Sequence, residues 1–419
     1  MALVVMKFGG TSVGSAERLR AVARRLVDRK SEGDRVVAVV SAMGDVTDEL
    51  VALAAEISAD PPEREMDMLL ATGEQVTIAL LAMAIHALGH EVISFTGPQV
   101  GIVTDEGHTK AKIREIKADR VAAALGEGRI VIVAGFQGMT VDGHITTLGR
   151  GGSDTTAVAV AAGIGADTCE IYTDVDGVYT ADPRLVADAR KLDVVSYDEM
   201  LEMAATGARV LQLRSVEFAR NHGVVIHCRS SFNDRPGTLV KEVDDAMEQA
   251  IISGVTHDTS EAKVTIRDVP DTPGVAAMVF SRLADANVNV DMIIQNVSEA
   301  GTTDISFTVP KDDLQRARRT TGEIATQLGA RTWSVDEAIA KVSLVGAGMK
   351  THPGVAAQMF TTLADAGVNL DMISTSSIRI SCVIADEQTE AAVRALHESF
   401  GLSAKQVVAE MAPACGEGE

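Results

Sequence analysis

Apolar positions in the first half of the chain fall into short continuous runs separated by helical periodicity. Residues 2–6, ALVVM, form a wholly apolar run that ends at Lys7-Phe8-Gly9-Gly10-Thr11-Ser12, and AERLRAVARRLVDRK behind it has helical spacing. Strands are expected again at RVVAVVSA, EVISF, RIVIVAGF and DTCEIYT, with helices at DELVALAAEIS, 65–88 and 111–125. Two helical pieces, within YDEMLEMAATGARVLQLRSVEFARNH, then precede a strand at VVIHCRSS. Apolar strands alternating with helices predict an α/β fold with a mostly parallel sheet covered on both faces. Ligands of such sheets bind beyond the C-terminal ends of the strands. The suggestive turns all lie there: KFGGTS, SAMGDVT, GFQG, LGRGGSD and YTDVDGVYTADPR.

The second half has a different rhythm. After a polar, charged stretch (NDRPGTLVKEVDDAMEQ), residues 273–293, PGVAAMVFSRLADANVNVDMI, return at 353–373 as PGVAAQMFTTLADAGVNLDMI. AKVTI at 262–266 likewise returns as AKVSL at 340–344. Each copy reads as strand, PG turn, amphipathic helix and a strand at VNVDMI or VNLDMI, completed by TTDISFTVP or SIRISCVI in an antiparallel sheet. Two copies imply a pair of modules packed on one another rather than a solenoid.

Composition narrows the partners more than the fold. The 419 residues are 46% hydrophobic and 23% charged, as in ordinary globular proteins. A net charge of -21 argues against nucleic acid and anionic membranes as partners. Cys169, Cys228, Cys382 and Cys415 have no metal-like spacing, and no dedicated metal site is expected. The N-terminus lacks the basic region of a signal peptide, and runs such as ALLAMAIHALG fall short of a membrane span. The expected location is cytoplasmic.

The chemistry concentrates in Gly149-Arg150-Gly151-Gly152-Ser153-Asp154, followed by the Ala/Val-rich helix AVAVAA. Ser153 and Asp154 stand where an N-cap is expected. A helix opening in a glycine turn offers free amides to an anion, and Arg150 adds a planar cationic fork. The alternative is a tight turn with a good cap. Lys7 precedes Gly9 and Gly10 at a strand end, although KFGGTS lacks the P-loop order. Taken alone it also fits a surface lysine. Glu74 can receive an ammonium group or be an exposed helix residue, while Ser41 and Thr47 supply hydroxyls or caps. The loop Tyr172–Arg184 lacks the spacing of a calcium loop and fits a nucleotide better.

KFGGTS, SAMGDVTDEL, ATGEQ, GFQG, TTLGRGGSDTTA and YTDVDGVYTADPR, in this order, resemble the bacterial aspartate kinases over essentially the whole chain. The resemblance implies an amino-acid-kinase αβα sandwich with a mostly parallel central sheet over 1–245. It also implies two ferredoxin-like α+β ACT domains at 262–338 and 339–419, with 250–261 as a candidate to complete the second. The implied reaction is transfer of phosphate from ATP, accompanied by Mg²⁺, to the β-carboxylate of L-aspartate. This gives 4-phospho-L-aspartate, a step toward lysine, threonine and methionine. By matching motif, Lys7 bridges the transferring group, Asp154 orients Lys7, and the amides of Gly9 and Gly10 hold phosphate. Thr11, Ser41, Thr173, Asp174, Tyr179, Asp182, Pro183, Arg184 and Arg209 complete the implied nucleotide contacts. Arg209 stands where the family commonly has lysine, which alters its geometry toward phosphate. Arg150, Gly151, Gly152, Ser153, Glu74 and Thr47 are implied to hold aspartate.

The same resemblance implies feedback by lysine and threonine at the ACT modules. The effector positions carried over are Asp271, Gly274, Ala276, Asn289, Asp291, Gln295, Val355, Asn369, Leu370 and Ser376. For Asp271 and the asparagines, capping of helices and turns is the alternative. A homo-oligomer is implied, or a mixed oligomer with a shorter regulatory chain begun near Met247. Rival readings are a sibling kinase acting on acetylglutamate, glutamate or UMP, and a catalytically dead amino-acid sensor. Intact Lys7, Arg150 and Asp154 argue against the last.

Overall fold

The computed structural model describes residues 1–243, 251–297 and 301–403. Met247, Cys415 and the expected domain ends at 245 and 419 lie outside the described residues. The chain divides into two compact units, one of Met1–Val178 with Lys191–Met247 and one of Tyr179–Arg190 with Glu248–Glu419.

The strands of the first unit are β1 Leu3–Phe8, β2 Arg35–Val40, β3 Val92–Phe95, β4 Ile102–Thr104, β5 Ile113–Ile116 and β6 Ile130–Ala134. β7 Gln137–Met139, β8 Ile145–Thr147, β9 Thr168–Thr173, β10 Val194–Ser196, β11 Ile226–Ser230 and β12 Thr238–Lys241 follow. Its helices are α1 Gly10–Val13, α2 Ala16–Ser31, α3 Val46–Ile57, α4 Glu63–Ala87, α5 Gly97–Val100, α6 Asp119–Gly126, α7 Gly152–Ile164, α8 Tyr197–Ala205 and α9 Leu213–His222. Eight strands form the main sheet in the order β10-β12-β11-β9-β1-β2-β6-β3, all neighbours parallel except β11 and β12. β5, β4, β7 and β8 form a smaller sheet.

The period of two in each strand sends alternate residues to opposite faces. Val4, Met6, Phe8, Ala38, Val40, Ile130 and Ile132 pack under Leu19, Val22 and Leu26 of α2 and Ile78, Leu81 and Ile85 of α4. Val5, Val37, Val39, Val131 and Val133 are equally buried on the other face, where α7 packs on β1 and β2. Burial on both faces explains why these strands are continuously apolar. The central strands β9, β1, β2 and β6 end level, with Phe8 paired to Tyr172 and Val40, and Val40 to Ala134. The turns that follow them therefore start along one edge.

One expectation changes here. The helix expected over 111–125 begins only at Asp119, because Ile113–Ile116 pairs with β4 and Ala118 adopts a left-handed conformation at φ 37°. α4 matches the helix expected at 65–88 and so extends well beyond the run ALLAMAIHALG, which alone is too short for a membrane span. At 25 residues it is apolar enough to cross a membrane by length and composition, yet it packs on the sheet core through Ile78, Leu81 and Ile85.

The second unit comprises β13 Gly254–Asp258, β14 Glu261–Pro270, α10 Val275–Asp285, β15 Ile293–Val297, β16 Thr302–Pro310, α11 Leu314–Leu328 and β17 Thr332–Asp336. β18 Ile339–Val345, α12 Val355–Asp365, β19 Met372–Thr375, β20 Arg379–Ala385 and α13 Thr389–Ser399 complete it. Its two antiparallel sheets have the orders β15-β16-β14-β17 and β13-β18-β20-β19. The strand before the first repeat, β13, thus pairs with β18 of the second. VNVDMI and VNLDMI are mostly loop: the strands start at Ile293 and Met372, at the end of each motif. Both repeat helices begin after a glycine in the left-handed region, Gly274 at φ 100° and Gly354 at φ 105°, which accounts for the repeated PG turn.

The repeats also exchange charges. Lys341 donates to Asp291 at 2.5 Å and Glu261 at 2.7 Å, and its counterpart Lys263 pairs with Asp371, the counterpart of Asp291. Burial pulls the Lys341 ammonium down, but the carboxylates of Glu261 and Asp291 outweigh it and leave its pKa raised. The segment Tyr179–Arg190 folds with this unit. Ala181 and Val186 enter its core, His397 Nε2 and Thr180 Oγ1 are 2.9 Å apart, and Arg394 donates to Leu185 O.

Candidate active site

The site is assembled where four strand ends and two helices meet. β1 delivers Lys7 and turns at Gly9-Gly10, and β2 delivers Ser41 and Ala42 beside it. The two turns touch so closely that a Cβ on Gly10 would lie 3.0 Å from the carbonyls of Ala42 and Gly44. On the other side of Ala42, α4 approaches through Gly73, whose Cβ would meet the Ala42 methyl at 2.9 Å. That close approach presents the next residue, Glu74, to the turn, and Ala42 N–H donates to Glu74 Oε1 at 3.1 Å.

Glu74 is buried, and its second oxygen has no hydrogen-bond partner. Burial pushes its pKa from the ordinary 4.5 up to about 7, against the smaller opposing effect of the backbone donors. A buried carboxylate with one open oxygen is suited to a cation brought by a ligand.

α7 enters from β8 through Gly149, Arg150 and Gly151. Its N-cap is Gly151, at φ 69°, with no side-chain cap, so Ser153 and Asp154 are first-turn residues rather than the cap expected from the sequence. Asp154 instead reaches Lys7 in an ion pair, Oδ1 to Nζ 2.5 Å. Ser153 packs where a Cβ on Gly135, just after β6, would come within 2.7 Å of Ser153 Oγ. The chain positions 7 and 154 thus converge at the helix N-terminus, with the exposed Arg150 on the turn leading into it.

The other expected residues are spread more widely. Thr47 lies in the first turn of α3, half-buried, and Thr11 is exposed on α1. Thr173 ends β9 and donates to Asp174, both within the first unit. Tyr179, Asp182, Pro183 and Arg184 belong to the segment that folds with the second unit, where Arg184 binds the Asp182 carboxylate and lowers its pKa. Arg209 is exposed in the turn between α8 and α9.

Of the effector positions, Asp271, Asn289, Asn369 and Ser376 are exposed, Gly274 and Ala276 sit at the start of α10, and Gln295 is on β15. Val355 and Leu370 pack in or against the core of the second repeat, and Asp291 is paired with Lys341. Gly73, Gly135 and Gln137 do not stand out in the sequence by themselves. Gln137 is fully buried, donates to Ala71 O and leaves its own oxygen unpartnered. Their motifs, ATGEQ and GFQG, were the available signal. Among the described residues no group of three or more His, Cys, Asp or Glu could hold a metal ion.

The amino acid kinase family model matches residues 2–230, and an ACT domain model matches 267–322 and 342–400. The aspartokinase of Mycolicibacterium smegmatis is 57% identical over 407 residues, which cover 96% of this chain and 97% of that one. The chain belongs to the amino acid kinase family, among its aspartokinases. Two crystal structures of Escherichia coli aspartokinase III, each 26% identical, share the aspartokinase architecture. The complex with aspartate and ADP (R-state) superposes with a TM-score of 0.81, and that with lysine and aspartate (T-state) with 0.74. Each covers 95% of this chain and 99% of the other. Membership in the aspartokinases accounts for both halves of the molecule, the kinase sheet and the paired antiparallel modules.

Proposed function

We propose that the chain transfers the γ-phosphoryl group of ATP to the β-carboxylate of L-aspartate, giving 4-phospho-L-aspartate and ADP. The observation that carries this reading is the Lys7–Asp154 ion pair, which ties the β1 glycine turn to the N-terminus of α7. The attacking carboxylate is already a nucleophile, so the barrier is repulsion between anions and the cost of alignment. Lys7, the amides of Gly9 and Gly10, and the helix N-terminus supply positive potential at the point of transfer. Asp154 keeps Lys7 aimed. Glu74 receives the substrate ammonium on its open oxygen, and Arg150 with Ser153 takes the carboxylate, with Thr47 beside them. Thr11, Ser41, Thr173, Asp174 and Arg209 line the path of the nucleotide. Mg²⁺ would arrive on ATP and neutralise phosphate charge.

The paired ACT modules are read as the seat of feedback by lysine and threonine. The E. coli relative is solved with lysine, which supports the first effector. The reaction would be a step toward lysine, threonine and methionine in the cytoplasm. The chain would act as a homo-oligomer or with a shorter copy of its regulatory half. Val76, Leu80 and Met83 expose an apolar stripe on α4 that suits contact with a second copy.

ADP release measured with aspartate, glutamate, acetylglutamate and UMP in turn, with hydroxylamine to trap an acyl phosphate, tests the reading. Turnover and hydroxamate with aspartate alone are expected. Turnover with another acceptor, or none with aspartate, would overturn it and favour a sibling kinase or a sensor.

A further inference from the structure

Asp67 lies on α4 two helical turns before Glu74, so the two side chains leave the same face of the helix. It is fully buried, and its carboxylate meets three partners from elsewhere in the unit. Thr147 Oγ1 donates to Oδ1 at 2.6 Å, and Thr109 N–H lies 3.1 and 3.2 Å from the two oxygens. His108 Nδ1 is 2.6 Å from Oδ2. Thr109 is held at φ 62°, a conformation unfavourable for a β-branched residue, which a buried carboxylate receiving its N–H can sustain.

The contacts with Thr147 and Thr109 bear on the approach to Arg150. Thr147 is the last residue of β8, and its carbonyl accepts from Ala111 N at 3.0 Å. Leu148 O accepts from Arg214, whose other terminal nitrogen donates to Ala111 O. The carbonyl of Thr109 presses on Gly149, where a Cβ would lie 3.1 Å away. The three residues before Arg150 are thus fixed, two of them through Asp67. One rigid helix carries both the group that fixes this turn and Glu74.

We propose that Asp67 is a positioning residue: its clamp on Thr147, Thr109 and His108 fixes the distance between Glu74 and the Arg150 turn, and so sets the span of amino acid that bridges them. The inference rests on the proposed roles of Glu74 and Arg150. The bound amino acid has its ammonium on one end of the ruler and its carboxylate on the other. Loosening the clamp weakens aspartate binding and leaves the nucleotide, held from the β1 side, where it was.

The test is steady-state kinetics of the full-length enzyme carrying Asp67→Asn, which keeps the volume but halves the acceptors, and Thr147→Val, which removes one donor and preserves shape. Asp67→Asn is expected to raise KM for aspartate tenfold to a hundredfold, the range for one hydrogen bond to a buried charge, with KM for ATP within about twofold. Thr147→Val is expected to do the same more mildly, and it decides the matter if Asp67→Asn does not fold. An unchanged KM for aspartate in a folded variant, or equal rises for aspartate and ATP, would overturn the clamp. Glu74→Gln serves as the control. If it raises KM for aspartate while the clamp variants do not, the substrate site stands and the ruler fails. If it leaves KM unchanged, the ammonium site fails and the ruler with it.

Discussion

Replacing Glu74 with glutamine separates binding from stability in opposite directions. The folded carboxyl has a pKa of about 7 where the unfolded one has 4.5, because burial disfavours the charge. The folded state therefore holds the proton more tightly. Stability from this group is full below pH 4.5, falls as pH rises toward about 7, and is level above it. That difference corresponds to a cost of about 3 kcal/mol at pH 8, an upper bound because the site relaxes and admits water. Glutamine fits the same space, can accept from Ala42 N–H and carries no charge. At pH 8 and without substrate, Glu74→Gln is expected to be more stable than the parent by up to about 3 kcal/mol, or several degrees in Tm. At pH 4.5 the gain vanishes. The same change removes the partner of the substrate ammonium, and KM for aspartate should rise about tenfold to a hundredfold. In the parent, kcat/KM for aspartate should climb as pH passes through about 7, and the variant should lose that limb. Urea unfolding at the two pH values, with initial rates across pH 5.5–8.5, measures all three effects. A variant less stable than the parent at pH 8 would rule out a burial penalty on Glu74, and unchanged KM for aspartate would rule out its contact with the ammonium group.

Gly135→Ala pushes a methyl to within 2.7 Å of Ser153 Oγ and 3.0 Å of its Cα, so the first turn of α7 must shift. A tenfold or larger drop in kcat/KM is expected, with a loss of about 1–3 kcal/mol by urea unfolding; full activity would show that the helix N-terminus tolerates displacement. Lys341→Met leaves Glu261 and Asp291 of the first repeat side by side without their cation from the second. We expect a loss of about 2 kcal/mol on urea unfolding at pH 7, below the ~3–5 of a fully buried pair because Asp291 can re-enter water. The raised pKa of Lys341 means that its contribution is complete below pH 10.5 and lost only as pH climbs beyond that value. Substitutions at Ala276 or Gln295 should relieve inhibition by lysine or threonine while uninhibited rates stay within about twofold, and dose–response curves that match the parent would remove those positions from the effector site.

The fold was largely legible because its strands are buried on both faces. Continuous apolar runs such as RVVAVV leave little choice between strand and helix when glycine turns bound them. The duplicated PG turn revealed the paired modules in the same way, since a left-handed glycine before each helix leaves a fixed sequence mark. Ile113–Ile116 escapes the pattern because IREI spaces its two isoleucines three apart, as on a helix, and becomes a strand only by pairing with β4. The loop after β9 was read as one nucleotide element, yet Ala181 and Val186 fold into the core of the other unit. Nothing local in YTADPR announces that allegiance. Glu74 drew notice in the sequence, but its open oxygen depends on Gly73 meeting Ala42, a contact between residues 31 positions apart in the chain. Asp67 escaped notice for a similar reason: each of its donors comes from a loop or strand end at least 41 residues away.

The proposed reaction depends on Lys7, held by Asp154, standing at the point of phosphoryl transfer. Hydroxamate formation from ATP and aspartate, compared among the parent, Lys7→Ala and Asp154→Ala at saturating substrates, measures it most directly. The parent should produce acyl phosphate steadily, and each variant should fall by at least about a hundredfold, as for loss of a transition-state contact. Either variant working at the parental rate would contradict that placement of Lys7.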